Sequence, residues 1–170
     1  MKHFALLSLV LLITLSSCST VRVAADFDQQ VNFENYKSYA FFKPGIDKAD
    51  ISDIDKRRIL RGIDGVLNSK GLSKSDNPDL LVSIFTKTRQ NINVYQNNWG
   101  WNPWLWGPNY NNVSRVTEGT LYIDLIDAKK RELIWQGSGT SPLPRNIERK
   151  EQRIQEIVQA VLEKFPPQQR

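Results

Sequence analysis

Between Glu118 and Gly139 the chain alternates apolar and polar residues, and this stretch limits the fold more than any other. Leu121, Ile123 and Leu125 alternate with Tyr122 and Asp124, a period of two that belongs to a half-buried strand. Asp127-Ala128-Lys129-Lys130 breaks the run with turn-tolerant residues, and Leu133 and Trp135 resume it. Two apolar runs around a short polar break predict a β-hairpin, with strands over Val116–Ile126 and Glu132–Gly139.

The preceding segments supply elements that such a hairpin can pack with. Val21 and Val23 alternate with Arg22, which predicts a first strand near Val21–Phe27. Ser38-Tyr39-Ala40-Phe41-Phe42 is an aromatic-rich second strand, stopped by Pro44-Gly45, and Asp47–Asp50 reads as a loop. Ser52, with Asp55 three residues on, starts a helix in the manner of a capping box. The helix runs to about Lys70, with Ile59, Leu60, Ile63, Val66 and Leu67 as its apolar stripe. Gly71 suits a left-handed C-terminal cap, with Leu72 placed to close it. Lys56, Arg57, Arg58 and Arg61 read as the solvated face of this helix, and only weakly as an anion site.

Asn77-Pro78-Asp79 turns the chain into a third strand, where Leu80, Val82 and Ile84 point one way and Leu81 and Phe85 the other. Apolar residues on both faces predict a central position in the sheet. The alternation weakens over Thr86–Asn91, where the strand is expected to bend or end. The final helix carries Ile154, Ile157, Val158, Val161, Leu162 and Phe165 at helical spacing and stops before Pro166-Pro167. The order β-β-α-β-β-β-α predicts an α+β fold: an antiparallel or mixed sheet of about five strands with both helices on one face.

The N-terminus points to the cell envelope. Lys2 is followed by an apolar run from Phe4 to Leu15, too short for a bilayer, which needs about twenty residues. The pattern is that of a secretory signal, here residues 1–17, ending in Leu15-Ser16-Ser17-Cys18. An aliphatic residue, two small ones and Cys form the bacterial lipobox. Cys18 is thus expected to carry a lipid anchor, palmitate among its acyl chains, with residues 18–20 as a short tether and 21–170 as one domain. Cleavage would remove the only Met and the only His, and lipid would consume the only Cys. That excludes His-based acid–base chemistry, Cys nucleophiles and nearly all zinc or copper sites. Loss of Lys2 takes the formal charge from +5 to +4; an exported address argues against a nucleic-acid footprint and leaves anionic lipid, lipopolysaccharide or cell-wall polymer as partners, but the excess reads first as a plain solvated surface.

Residues 96–113 are the oddest part of the chain. Gln96–Asn112 reads QNNWGWNPWLWGPNYNN, with Trp99, Trp101, Trp104, Trp106 and Tyr110 among Asn, Gly and Pro. Four of the five Trp lie here, in a composition that predicts a long loop. Three readings stay open: indoles folded back onto the sheet, an idle segment, or indoles presented to sugars, a partner or the membrane interface. Asp26 and Asp28 would share a face on a straight strand, but they read as a polar strand end more readily than as a cation or acid–base pair. A carboxylate-dependent hydrolase would rest on Asp26, Asp28, Glu118 or Asp124, and no activated pair is visible among them.

Several segments together resemble a known family. Asp26-Phe27-Asp28 with Phe33-Glu34-Asn35-Tyr36-Lys37-Ser38-Tyr39-Ala40-Phe41 is similar to that family's opening, DYD followed by FxxYKTYAW. Lys70-Gly71 and Pro78-Asp79-Leu80-Leu81-Val82 resemble its KG and PDLLV. The segments from Glu118 to Ala128 and from Leu133 to Gly137 resemble its EGTLVIDLVDA and LVWRG. The family is the group of bacterial lipoproteins known as domain-of-unknown-function family 4136. The resemblance supports fold and address and implies no catalytic residue. The family usually has Gly in the hairpin turn where this chain has Lys130-Arg131. A β-carbon there costs about 1 kcal/mol at φ > 0, so a longer or differently shaped turn is expected.

The sequence contains no P-loop and no Rossmann glycine pattern, and no cofactor is expected. The function expected is that of a non-enzymatic, lipid-anchored outer-membrane protein facing the periplasm, held by Cys18 and binding a partner or ligand of the envelope, protein or glycan. The alternative is a glycan- or peptidoglycan-binding module using the Trp-rich loop.

Overall fold

The structure, a computed structural model, describes residues 21–95, 112–144 and 146–168. In chain order the elements are β1 (Arg22–Phe27), β2 (Ser38–Phe41), α1 (Lys43–Asp47), α2 (Asp53–Ser69), β3 (Ser73–Lys74), β4 (Leu80–Tyr95), β5 (Asn112–Asp127), β6 (Leu133–Pro142) and α3 (Ile147–Leu162). The strands form one open mixed sheet in the order β1-β6-β5-β4-β2-β3. β2 runs parallel to β3 and β4, and every other neighbour pair is antiparallel. The fold is α+β, as the order of elements predicts.

The long helices form where the signals place them. The Ser52 hydroxyl accepts from the Asp55 N–H and caps α2. At its other end Gly71, at φ 86°, donates to the Asn68 carbonyl while Leu72 donates to Leu67, the two bonds of a Schellman close. Both helices lie on one face of the sheet. Their stripes meet Leu80, Val82 and Ile84 of β4, Leu121, Ile123 and Leu125 of β5, and Trp135 of β6, all buried in one core. α3 comes closest to the sheet at Gly137 and Gly139. A β-carbon on Gly137 would stand 2.5 Å from a Val161 methyl, and one on Gly139 2.7 Å from the other, so the absence of side chains there lets the helix seat.

The short helix Lys43–Asp47 is not among the expected elements; Pro44 lies in its first turn, where the missing N–H costs nothing. Residues 48–50 are turn and bend, as expected of a loop. Three expectations are corrected. Arg58 is not on a solvated face: it is mostly buried, bonded to Asp55 at 3.0 Å and to Glu151 of α3 at 3.4 Å. β4 does not end over Thr86–Asn91 but pairs with β5 without a slip from Leu80↔Asp127 to Tyr95↔Asn112. β5 accordingly starts at Asn112 and not Val116. A ladder is held by backbone hydrogen bonds, which side-chain alternation does not report.

The consequence is a projecting ribbon. β6 accompanies β5 only as far as Glu118↔Pro142, and β2 accompanies β4 only over Leu80–Val82. Beyond that, Gln90–Tyr95 and Asn112–Thr117 pair with each other, with the Leu143 N–H still bonded to the Thr117 carbonyl. Six residues at ~3.4 Å give this ribbon a length of about 20 Å.

Candidate functional site

The face of the sheet turned away from α2 and α3 is set out in rows by the strand register. One row is Arg22, Thr140, Thr120 and Lys87 across β1, β6, β5 and β4. The next is Ala24, Ser138, Tyr122 and Phe85, and the third is Asp26, Gln136, Asp124 and Ser83. The face therefore runs from a basic row, on the ribbon side, through an aromatic row to an acidic one.

Local contacts lock these rows. Phe85 and Tyr122 stack with centroids 4.2 Å apart and planes within 5°. The Lys87 ammonium covers the Tyr122 ring at 5.5 Å. Thr120 and Thr140 share a hydrogen bond of 2.8 Å, and Arg22 bridges to Glu118 at 3.0 Å. Tyr122 thus has Phe85 stacked against it and the Lys87 ammonium over it. Arg22, Lys87, Arg89, Glu118, Thr120, Tyr122 and Thr140 surround a concavity of about 600 Å³.

The carboxylates considered from sequence do not converge. Asp26, Glu118 and Asp124 do share this face, yet Glu118 and Asp124 lie six residues apart on β5, about 20 Å. Asp26 accepts from the Phe27 N–H at 2.9 Å, and Asp28, just past β1, accepts from the Gln30 N–H at 2.9 Å. Burial pushes the Asp124 carboxyl above its usual range, and the 2.8 Å bond from Gln136 offsets part of that. Among the described residues no three His, Cys, Asp or Glu side chains are grouped to hold a metal.

The opposite end of the sheet is a clasp that sequence reading missed. One Asp79 oxygen accepts from the Ser38 hydroxyl at 2.7 Å, the Ser38 N–H at 3.0 Å and the Lys37 N–H at 3.1 Å. These bonds fix the start of β2 beside the start of β4. Asp127 accepts from the N–H groups of Lys129 and Lys130, both at 2.8 Å, and from the Tyr36 hydroxyl at 2.8 Å. Burial and this bond push the Tyr36 phenol up to about 12. Arg131 takes the left-handed conformation at φ 61°, and its N–H closes the turn on the Asp127 carbonyl at 2.9 Å. Arg131 thus carries a β-carbon at a positive φ within the turn. No local sequence pattern marks this clasp, because its bonds join residues that stand 41 and 91 positions apart in sequence.

Between the helices and the sheet lies a second cavity of about 100 Å³, walled by Ile59, Leu121, Leu143, Ile154 and Ile157. Thr86 also lines it, and its hydroxyl oxygen is buried without a hydrogen-bond partner. Asp55 sits at its side, bonded to Lys150 and Arg58. Burial would raise the Asp55 carboxyl, but the bonds from Lys150 and Arg58 outweigh it and hold the group below its usual range.

Cys18, the segment 1–17 expected to be a signal sequence, Trp99, Trp101, Trp104, Trp106 and Tyr110 lie outside the described residues. What is described is the chain on either side: Tyr95 and Asn112 pair at the end of the ribbon, so residues 96–111 connect its two strands. No helix among the described residues is long and apolar enough to cross a membrane.

The architecture is that of a small α+β domain with an open mixed sheet covered by helices on one face. The chain belongs to the family described as Domain of unknown function (DUF4136), which matches residues 23–167. No curated protein matches it. Among solved structures it is similar to a PDZ domain protein from Parabacteroides distasonis, at 18% identity and a TM-score of 0.55. That match covers 88% of this chain and 36% of the other, so the chain spans about a third of that protein's length. It is also similar to a PelC dodecamer from Paraburkholderia phytofirmans, at 12% identity and a TM-score of 0.52, covering 84% of this chain and 95% of that one. At these identities the likeness is one of fold.

Proposed function

We propose that this is a non-enzymatic, lipid-anchored protein of the cell envelope, a binding module whose working end is the ribbon side of the sheet. The observation that supports this reading is topological: β1 begins at the same end of the sheet toward which the β4–β5 ribbon extends. Arg22 stands level with Lys87, and Tyr95 lies eight residues farther on, about 27 Å beyond that row. Cys18 is four residues before Arg22 and so at most about 14 Å from it. A bilayer reached through Cys18 would therefore lie within reach of the ribbon. The Trp-rich connection between its strands has the composition of an interfacial contact, apolar rings each with one N–H donor.

Two variants test this reading. Cys18→Ala should move the protein from the outer-membrane fraction to a soluble or uncleaved form, because two or more acyl chains hold a protein on the bilayer essentially permanently. Persistence of the variant in the membrane fraction, extractable only by detergent, would overturn it. Trp104→Ala with Trp106→Ala should leave the melting temperature nearly unchanged while weakening retention on liposomes. A fall of many degrees would assign the indoles to the core. Retention on peptidoglycan that this pair abolishes would favour the second reading, a glycan-binding module, for which the hydroxyl and amide groups of Thr120, Thr140, Ser138 and Gln136 offer hydrogen-bond partners.

A further inference from the structure

We propose that the basic row at the ribbon end of the open face docks on an anionic membrane surface, with Arg22, Lys87 and Arg89 meeting lipid phosphates. Its orientation toward a bilayer rests on the anchored reading above; its charge and geometry do not. Arg22 and Lys87 stand at the two ends of one four-strand row. Their backbones are three strand spacings apart, about 14 Å, with the hydroxyls of Thr120 and Thr140 on the floor between. Arg89 lies two residues beyond Lys87 on the same face. Three cations against the single carboxylate of Glu118 leave this concavity with an excess of positive charge.

The cations are not spent on the fold. Lys87 is exposed, and its ammonium rests over the Tyr122 ring, a contact that leaves its charge unneutralised. Arg22 is 68% exposed despite its bond to Glu118. The third row, by contrast, carries Asp26 and Asp124, so the charge falls off along the face and gives it a direction. Residues 1–20 join the described chain at Val21, beside the basic row. Charge complementarity and the place where the chain enters thus favour the same occupant, a surface of anionic headgroups.

The test uses the full chain carrying Cys18→Ala, so that no lipid anchor contributes, on vesicles of phosphatidylcholine alone or with phosphatidylglycerol. The anionic vesicles should bind it at least tenfold more tightly at low salt, and ~0.5 M NaCl should erase the difference. Arg22→Gln, Lys87→Gln and Arg89→Gln together should weaken binding to anionic vesicles by about a hundredfold, at roughly tenfold or less per charge. Lys129→Gln, Lys130→Gln and Lys164→Gln together, cations placed elsewhere, should change it little. All three proteins keep residues 1–20, so any apolar contribution from that segment appears equally on neutral vesicles and cancels. Glycerol phosphate in the millimolar range should not displace the protein from the vesicles; full displacement would assign the row to a soluble phosphate. Equal losses from the two triple variants would reduce the effect to net charge, and no preference for anionic vesicles would overturn the proposal. Failure here leaves the fractionation of Cys18→Ala, and with it the anchored reading, untouched.

Discussion

Two aspartates show how position decides what a carboxylate does. Asp124 is half-buried on the open face, and burial raises its affinity for a proton more than Gln136 lowers it. Its folded state holds the proton more firmly than its unfolded state, so its charge costs stability above the raised pKa, a cost absent below the ordinary carboxylate range. Asp124→Asn keeps an oxygen for Gln136 and should raise the melting temperature near pH 7 while changing it little near pH 3. Asp55 behaves in the opposite sense. Lys150 and Arg58 hold its folded pKa down, so its contribution is present above the ordinary carboxylate pKa and is lost as pH falls through the folded value. Asp55→Asn should lower stability near pH 7 by roughly 2–4 kcal/mol, since it leaves its cations without their buried partner. Thermal melts across pH would check both signs. At Arg131 the backbone itself carries the strain: φ of 61° brings the β-carbon against the following carbonyl. Arg131→Gly should stabilise the protein by roughly 0.5–1 kcal/mol in urea unfolding, and a loss would mean that the side chain compensates for the strain.

At the scale of elements, α3 and the sheet are fitted through missing atoms. Gly137 and Gly139 face Val161 and Ile157 so closely that Gly139→Ala must push α3 outward, at a cost of about 1–3 kcal/mol. Val161→Asp, in the same contact, would bury an unpaired charge and should cost several kcal/mol or prevent folding. Glu151→Ala on the same helix should cost under about 1 kcal/mol, because its carboxylate is half exposed where it meets Arg58 and Arg61. Equal melting temperatures for Val161→Asp and Glu151→Ala would contradict this assignment of faces. The helices were legible from sequence because apolar spacing and caps act locally: Ser52, Gly71 and Leu72 do what their types imply. The ribbon was not, because the pairing of β4 with β5 depends on residues roughly thirty apart and leaves no period of two in Thr86–Asn91. Arg58 was misplaced for a related reason. Its helical position puts it near the solvated face, but Asp55 and Glu151 draw it across to α3.

For the whole molecule, the two ends of the sheet have different tasks. The clasp of Tyr36, Ser38, Asp79 and Asp127 closes one end with hydrogen bonds between segments far apart in sequence. These residues fall in the segments that carry the family resemblance, which therefore reports scaffold more than chemistry. The carboxylates singled out from sequence are spread along and across the open face, whereas the basic row became visible only once the register set Arg22, Thr140, Thr120 and Lys87 side by side. The account makes the ribbon end the membrane end. The most direct check places a spin label through Pro142→Cys at that end, or through Lys130→Cys at the clasp end, in the anchored protein reconstituted in bilayers. Pro142 pairs with Glu118, and Lys130 follows the Asp127 that pairs with Leu80, which separates the two labels by about 30 Å along the strands. Relaxation by a nickel-chelating lipid should be strong at position 142 and weak at 130; equal relaxation, or the reverse order, would contradict the account.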